Sequence, residues 1–342
     1  MRSRDFYQRH LDAVSRSFAL CIPQLDSPFR ERVALSYLLL RVLDTVEDAP
    51  FQDRQLQQRQ FETFRRFLRM PPARAQVDVF RASFLGQITE GERNLLADTQ
   101  AFLEDAHQLP AGARDVIFGA VDRMAQGMAA YQLRPAPLRL LDLEDVTRYC
   151  CIVAGLVGEL LTRLWALGGE APPRMIFAYR FGLFLQKVNI LKDQAEDEEA
   201  GRFLVPDRRE ILASLRADAE GALAYLTSLP RAERGYRTFC AWSLMLGAAS
   251  LPLMEGPKES HRAQTLALLA RTAAIAQDNE ALRRQFAELL PRLPELRPRA
   301  PVAKPESAKR FVQILDAPLS ESELLDLGAI SSTERRAAAA NQ

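Results

Sequence analysis

The sequence predicts an all-α fold, and three observations carry that prediction. Apolar residues recur at spacings of three and four through nearly everything before residue 290. Alternating β-branched runs are scarce. Helix-stopping residues punctuate the periodic stretches at Pro71-Pro72, Pro135 to Pro137, Gly168-Gly169, Pro172-Pro173, Gly201 and Pro206.

In chain order, the first predicted helix runs from Arg32 to Asp48, with Leu38, Leu39, Val42 and Val46 free to pack. The next, Phe61 to Arg69, stops at the proline pair. Val116 to Tyr131 ends before Pro135, and Leu143 to Leu167 ends at the double glycine. Met175 to Glu198 is bracketed by Pro172-Pro173 and Gly201, and Ile211 to Ser228 follows Pro206. Thr238 to Met254 and His261 to Leu290 complete the set. Residues 1–295 read as one domain. Pro291, Pro294, Pro298, Pro301 and Pro305 cannot continue a helix, so residues 296–342 are expected to be a Pro-rich linker and a poorly ordered tail. Short helices are expected there at Ser307 to Leu315 and Glu321 to Leu327.

Composition narrows the function. The chain has 342 residues, 48% of them hydrophobic, which is ample for a core. Lys plus Arg number 45 against 44 Asp plus Glu, so a net charge of +1 implies no global attraction to nucleic acid. Cys21, Cys150, Cys151 and Cys240 show no disulfide framework and read as reduced, buried thiols. The histidines His10, His107 and His261 form no zinc-like pattern with them. No apolar signal segment opens the sequence. The longest nearly apolar run, Phe239 to Met254, is shorter than the ~20 residues that span a bilayer and reads as a buried helix. No Gly-rich turn offers a Rossmann fingerprint or a P-loop.

Two clusters carry the chemistry. Asp44-Thr45-Val46-Glu47-Asp48 and Asp193-Gln194-Ala195-Glu196-Asp197 share the pattern Asp-x-x-Glu-Asp, which sets carboxylates at i, i+3 and i+4 on one helical face. Such acids repel unless a cation lies among them. Magnesium suits them because it is held by one or two carboxylates together with phosphate oxygens. At about 100° per residue, Tyr37, Arg41, Asp44 and Asp48 form one stripe, and Gln186, Asn189, Asp193 and Asp197 another. Both stripes are flanked by bulky apolar residues, which argues against simple solvent exposure. Glu198 and Glu199 read as a solvated charge run, while Gly201 is a plausible helix stop and Arg202 a phosphate ligand. Ser15-Arg16-Ser17-Phe18 suits an anion or merely decorates a helix. Ala154, Gly155 and Gly158 fit either close helix packing or a groove for an isoprenoid chain.

The segments Ser15 to Phe18, Tyr37 to Asp48, Tyr149 to Leu161 and Phe184 to Arg202 come in an order that resembles the squalene/phytoene synthase family, within it the squalene synthases. The resemblance implies an isoprenoid synthase-type helical bundle, a single domain around a central cavity. It implies head-to-head condensation of two farnesyl diphosphates, via presqualene diphosphate, to squalene. Asp44, Glu47, Asp48, Asp193 and Asp197 would hold Mg²⁺, and Arg16, Arg41 and Arg202 would neutralise phosphate oxygens. Ser15, Tyr37, Gln186 and Asn189 would hydrogen-bond the diphosphates, while Phe18, Val153 and Gly155 would contact the chains. NADPH would supply the reductive step. A monomeric, cytoplasmic protein is expected, with no C-terminal anchor and with transient contact to a membrane surface.

Two positions depart from the pattern. The tyrosine usual before Val-Ala-Gly is Ile152, which can move no proton; Tyr149 or the released diphosphate would substitute. The basic segment that eukaryotic squalene synthases carry after the Phe239 region is replaced by Thr265 to Ala276, with Arg271 its only cation. Lys187 and Lys192 are alternative partners for a cofactor phosphate. Two other readings stay open: a presqualene diphosphate, phytoene-type or hydroxysqualene-type synthase without NADPH reduction, and a non-catalytic scaffold.

Overall fold

The computed structural model describes residues 1–15, 17–51, 53–84, 88–251, 262–294, 314–315 and 327. Its contacts divide the chain into two units, residues 1–134 with 160–172, and residues 135–159 with 173–342.

The first unit holds α1 (Arg4–Val14), α2 (Phe18–Cys21), a 3₁₀ turn (Ile22–Gln24), α3 (Phe29–Asp48), α4 (Arg54–Arg69), α5 (Arg74–Ala82), α6 (Glu90–Ala97), α7 (Thr99–His107) and α8 (Ala111–Gln132). Local chemistry sets several starts. Asp53 accepts from the Leu56 amide, and Thr89 with Glu92 forms a capping box. Helix α3 is the spine: Leu35, Leu38, Leu39, Val42, Leu43 and Val46 are fully buried, and α1, α4, α6, α7 and α8 all pack on it. Phe61, Phe64 and Phe67 from α4 and Phe80 from α5 fill the adjoining core.

The second unit holds β1 (Leu138–Arg139), α9 (Leu143–Cys150), a π-helical turn (Cys151–Gly155), the start of α10 (Leu156–Ala166), α11 (Met175–Lys192), α12 (Gln194–Glu199), β2 (Arg202–Phe203), α13 (Arg208–Ser228), α14 (Arg234–Ser250), α15 (Arg262–Ile275) and α16 (Asn279–Leu289). Helix α11 is its centre, packed by the π turn, α13 and α14. Three glycines permit this closeness. A Cβ on Gly158 would lie 2.1 Å from the Ala178 carbonyl oxygen, one on Gly182 2.2 Å from that of Ala154, and one on Gly155 2.6 Å from the Tyr179 ring. Of the two explanations for the small-residue stripe, close packing is what these glycines do.

Several elements differ from the sequence expectation for identifiable reasons. The predicted helix from Met175 breaks at Asp193, whose φ of −96° and ψ of 12° leave the helical well. The predicted helix from His261 breaks between Ile275 and Asn279, where Asp278 caps α16 through the Glu280 and Ala281 amides. A parallel pairing of β1 with β2 went unread, since two-residue strands carry no periodicity. The expected tail helices fall outside the described residues, apart from Ile314, Leu315 and Leu327, which are helical.

All four cysteines are buried thiols outside any disulfide. Among the described residues, one continuous helical stretch, Leu143–Ala166, is long and apolar enough to cross a membrane, but 61% of its most apolar window is buried inside the protein, as in a core helix. The apolar run from Phe239 lies in α14, which ends at Ser250; Pro252 to Met254 are outside the described residues.

Candidate active site

The first acid cluster closes α3. Asp44, Glu47 and Asp48 occupy its last turns, which hold no base after Arg41. Carboxylates there meet the negative end of the helix dipole, at a cost of about 0.3–1 kcal/mol each. A helix built for stability alone carries cations in that turn. Upstream, Arg41 Nη1 donates to Asp44 Oδ2 at 2.8 Å, while the buried Arg41 Nε has no hydrogen-bond partner. Burial alone would lower the Arg41 pKa, but Asp44, Tyr37 and Glu92 together carry it higher, so the guanidinium is a fixed cation.

Tyr37 lies one turn before Arg41. Burial raises its pKa, against a hydrogen bond with Ser15 and the charge of Arg41. Its ring packs against Phe18 with centroids 5.3 Å apart. Ser15 also accepts from the Phe18 amide at 3.0 Å, which fixes the entry to α2. The structure thus gathers Ser15, Phe18, Tyr37, Arg41 and Asp44 into one contact chain. Arg16 lies outside the described residues.

The second cluster sits where α11 ends. Asp193 is the last cap residue of α11, yet the hydrogen-bond ladder continues: its amide donates to the Asn189 carbonyl, and the Asp197 amide to the Asp193 carbonyl. Asp193 and Asp197 therefore remain one turn apart despite the break. Arg202 donates to Asp197 Oδ1 through Nε at 3.1 Å and Nη2 at 2.6 Å. Gly201, at φ +76°, takes the left-handed stop that lets the chain turn into β2 and aim that arginine. Burial pushes the Asp197 carboxyl up to about 6, and Asp193 and Glu196 add to it. A bound cation would reverse that rise. Gln186 is half-buried and Asn189 exposed on the same helix.

Both acid sets are all-oxygen donors. Among the described residues, no group of three or more His, Cys, Asp or Glu is arranged to hold a metal alone. Oxygen donors of this kind suit Mg²⁺, which takes one or two carboxylates together with water and phosphate oxygens.

Tyr149 is buried in the last turn of α9, Ile152 is fully buried in the π turn, and Val153 beside it is half-buried. π turns inside helices often mark functional sites. Lys187 is not available to a cofactor phosphate: its Nζ is buried, donating to Asp218 Oδ2 at 2.7 Å and Ser214 Oγ at 3.0 Å. Arg180 donates to the other Asp218 oxygen at 3.1 Å. Sequence reasoning passed over this α11–α13 clamp, and also the buried Tyr179–Glu159 hydrogen bond of 2.6 Å. The available signal was a charged residue inside an otherwise apolar helix, as in Gly158-Glu159-Leu160. Lys192 is exposed beside Asp193, 3.5 Å from Oδ2.

Helices without a substantial sheet, carrying two acid-rich helix ends with arginine partners, define a fold of the isoprenoid-synthase type. The chain belongs to the squalene/phytoene synthase family, whose profile matches residues 11–304. It is 35% identical over 211 residues to the squalene synthase of Ganoderma lucidum, covering 59% of this chain and 42% of that protein. It is 32% identical over 280 residues to the squalene synthase of Eremothecium gossypii, covering 72% and 61%. The chain thus spans about half the length of these curated relatives. Among solved structures, TcSQS in complex with the ligand BPH1237 superposes with a TM-score of 0.70 at 25% identity, covering 95% of this chain and 96% of that one.

Proposed function

We propose that this protein joins two farnesyl diphosphates head to head, through presqualene diphosphate, to squalene, with Mg²⁺ and NADPH. The observation that carries the reading is the pair of acid-rich helix ends, each with an arginine bonded to one of its aspartates, in a chain of this family. Asp44, Glu47, Asp48, Asp193 and Asp197 are the residues we assign to the metal. Mg²⁺ would supply charge neutralisation for the departing diphosphate.

The chain's own residues have separable tasks. Arg41, whose Nε lacks a partner, and Arg202 donate to phosphate oxygens. Ser15, Tyr37, Gln186 and Asn189 hydrogen-bond the diphosphates and fix their orientation. Phe18 and Val153 flank the prenyl chains, and an apolar wall keeps water from the allylic cation. With Ile152 unable to carry a proton, Tyr149 is the side chain we assign to relay the one lost as the cyclopropane closes to the released diphosphate, which holds it. NADPH would supply the hydride of the last step. The protein acts as a cytoplasmic monomer in this reading, which size-exclusion chromatography checks.

Buried Lys187 and the single cation of residues 265–276 favour a second reading, in which the reaction ends before reduction. Product analysis separates the two. Farnesyl diphosphate with Mg²⁺ should yield squalene only when NADPH is present. Identical products with and without NADPH would establish the second reading, and no diphosphate release under either condition would leave only a scaffold.

A further inference from the structure

We infer that the corner between α4 and α5 is a docking surface for an anionic lipid bilayer, with Met70 as its inserting residue. The chain as a whole is nearly neutral at +1, but residues 54–81 hold seven arginines against Glu62 and Asp78, a surplus of five. The corner itself reads Arg65-Arg66-Phe67-Leu68-Arg69-Met70-Pro71-Pro72-Ala73-Arg74. Phe67 and Leu68 turn inward, while Met70 is 67% exposed and Pro71 and Ala73 are exposed with it. Arg66, Arg69 and Arg74 surround this apolar tip on the exposed side. Val79, further along α5, is 73% exposed.

The neighbouring acids do not cancel the field. Arg65 is bound to Asp122 and Glu62, and Arg69 approaches both at 3.8 and 3.5 Å. Asp78 is shared between Arg74 and Arg81 at 3.3 Å each. Arg54, Arg59 and Arg66 remain exposed beyond these pairs. The corner is also held in place: His107 Nε2 lies 2.7 Å from the Phe67 carbonyl oxygen, and Gln100 donates to that of Pro72 at 3.3 Å. Two prolines stiffen it further.

A cationic rim around a projecting apolar tip matches a surface that is anionic outside and hydrocarbon beneath. A nucleic acid or an acidic protein would use the arginines and leave Met70 without purpose. The inference is independent of the catalytic reading, because it is measured without substrate or metal.

The test is co-sedimentation of the full chain with vesicles of phosphatidylcholine alone, and of phosphatidylcholine with phosphatidylglycerol in equal parts. Binding is expected to the second only. Arg66→Ser with Arg74→Ser should weaken it about thirtyfold, from roughly fivefold per arginine. Met70→Asp should weaken it at least about tenfold through lost apolar insertion, and Met70→Ala less. Leu266→Asp, at an exposed apolar residue elsewhere, should change nothing. Matching thermal unfolding of the variants excludes misfolding. Wild-type protein left in the supernatant with anionic vesicles would overturn the inference. So would Met70→Asp binding as wild type does, which would mark a charge-only site for a polyanion.

Discussion

Asp193 and Asp197 show how one residue's environment sets another's chemistry. Burial pushes the Asp197 carboxyl up to about 6, and Asp193, 41% exposed, adds to that rise. Asp193→Asn should therefore lower the Asp197 pKa, read by carboxyl NMR, and raise metal-free stability slightly. The gain should be no more than about 0.5 kcal/mol, because solvent screens the pair. An unchanged Asp197 titration would sink this. His10 gives a pH dependence of opposite origin. Burial lowers its pKa below the usual histidine value, and Asp98, 3.0 Å away, only partly opposes this. The unfolded chain then binds the proton more readily, so stability is present above about pH 6.5 and declines as pH falls toward the lowered folded value. His10→Gln should flatten the loss of Tm between about pH 7 and pH 5 relative to wild type; parallel curves would contradict it.

At the scale of elements, glycine placement separates packing from tolerance. Gly158 lies against the Ala178 carbonyl, whereas a Cβ on Gly119, exposed in α8, meets nothing within 4 Å. Gly158→Ala should cost about 3 kcal/mol, and Gly119→Ala should stabilise by about 0.5–1 kcal/mol. Chemical denaturation of both variants checks the contrast, and equal effects would refute the packing argument. The α11–α13 clamp makes a similar distinction. Lys187→Met alone leaves Asp218 buried against Arg180 and should cost about 3 kcal/mol; Lys187→Met with Asp218→Leu should recover most of that. Additive costs would show that the pair does not act as a unit.

These elements also show what a sequence reveals. The long helices were readable because each spends its apolar stripe on a core, as α3 does with Leu35, Leu38, Leu39 and Val42. Short helices such as α5, α6 and α7 lacked enough turns to display a period. The break at Asp193 was hidden because an Asp-x-x-Glu-Asp spacing suits an unbroken helix equally well. Arg41, Tyr37 and Ser15 were legible as a stripe and a neighbouring motif, while their mutual contacts needed the fold. Lys187 stayed open as a partner for a cofactor phosphate because sequence gives a charge without its partner.

For the whole molecule, the account requires the acids of α3 and those that end α11 to serve a single reaction. Energetic coupling between the two clusters is the property that tests it. Groups that act together in one chemical step lose their effect together, so removing the second costs little once the first is gone. The direct measurement is diphosphate release from farnesyl diphosphate with Mg²⁺ by wild type, Asp44→Asn, Asp193→Asn and the double variant. The account predicts that each single change lowers kcat by at least about a hundredfold, or ~2.7 kcal/mol, and that the double variant is scarcely slower than either. Rates that multiply, or an Asp193→Asn protein as active as wild type, would contradict it.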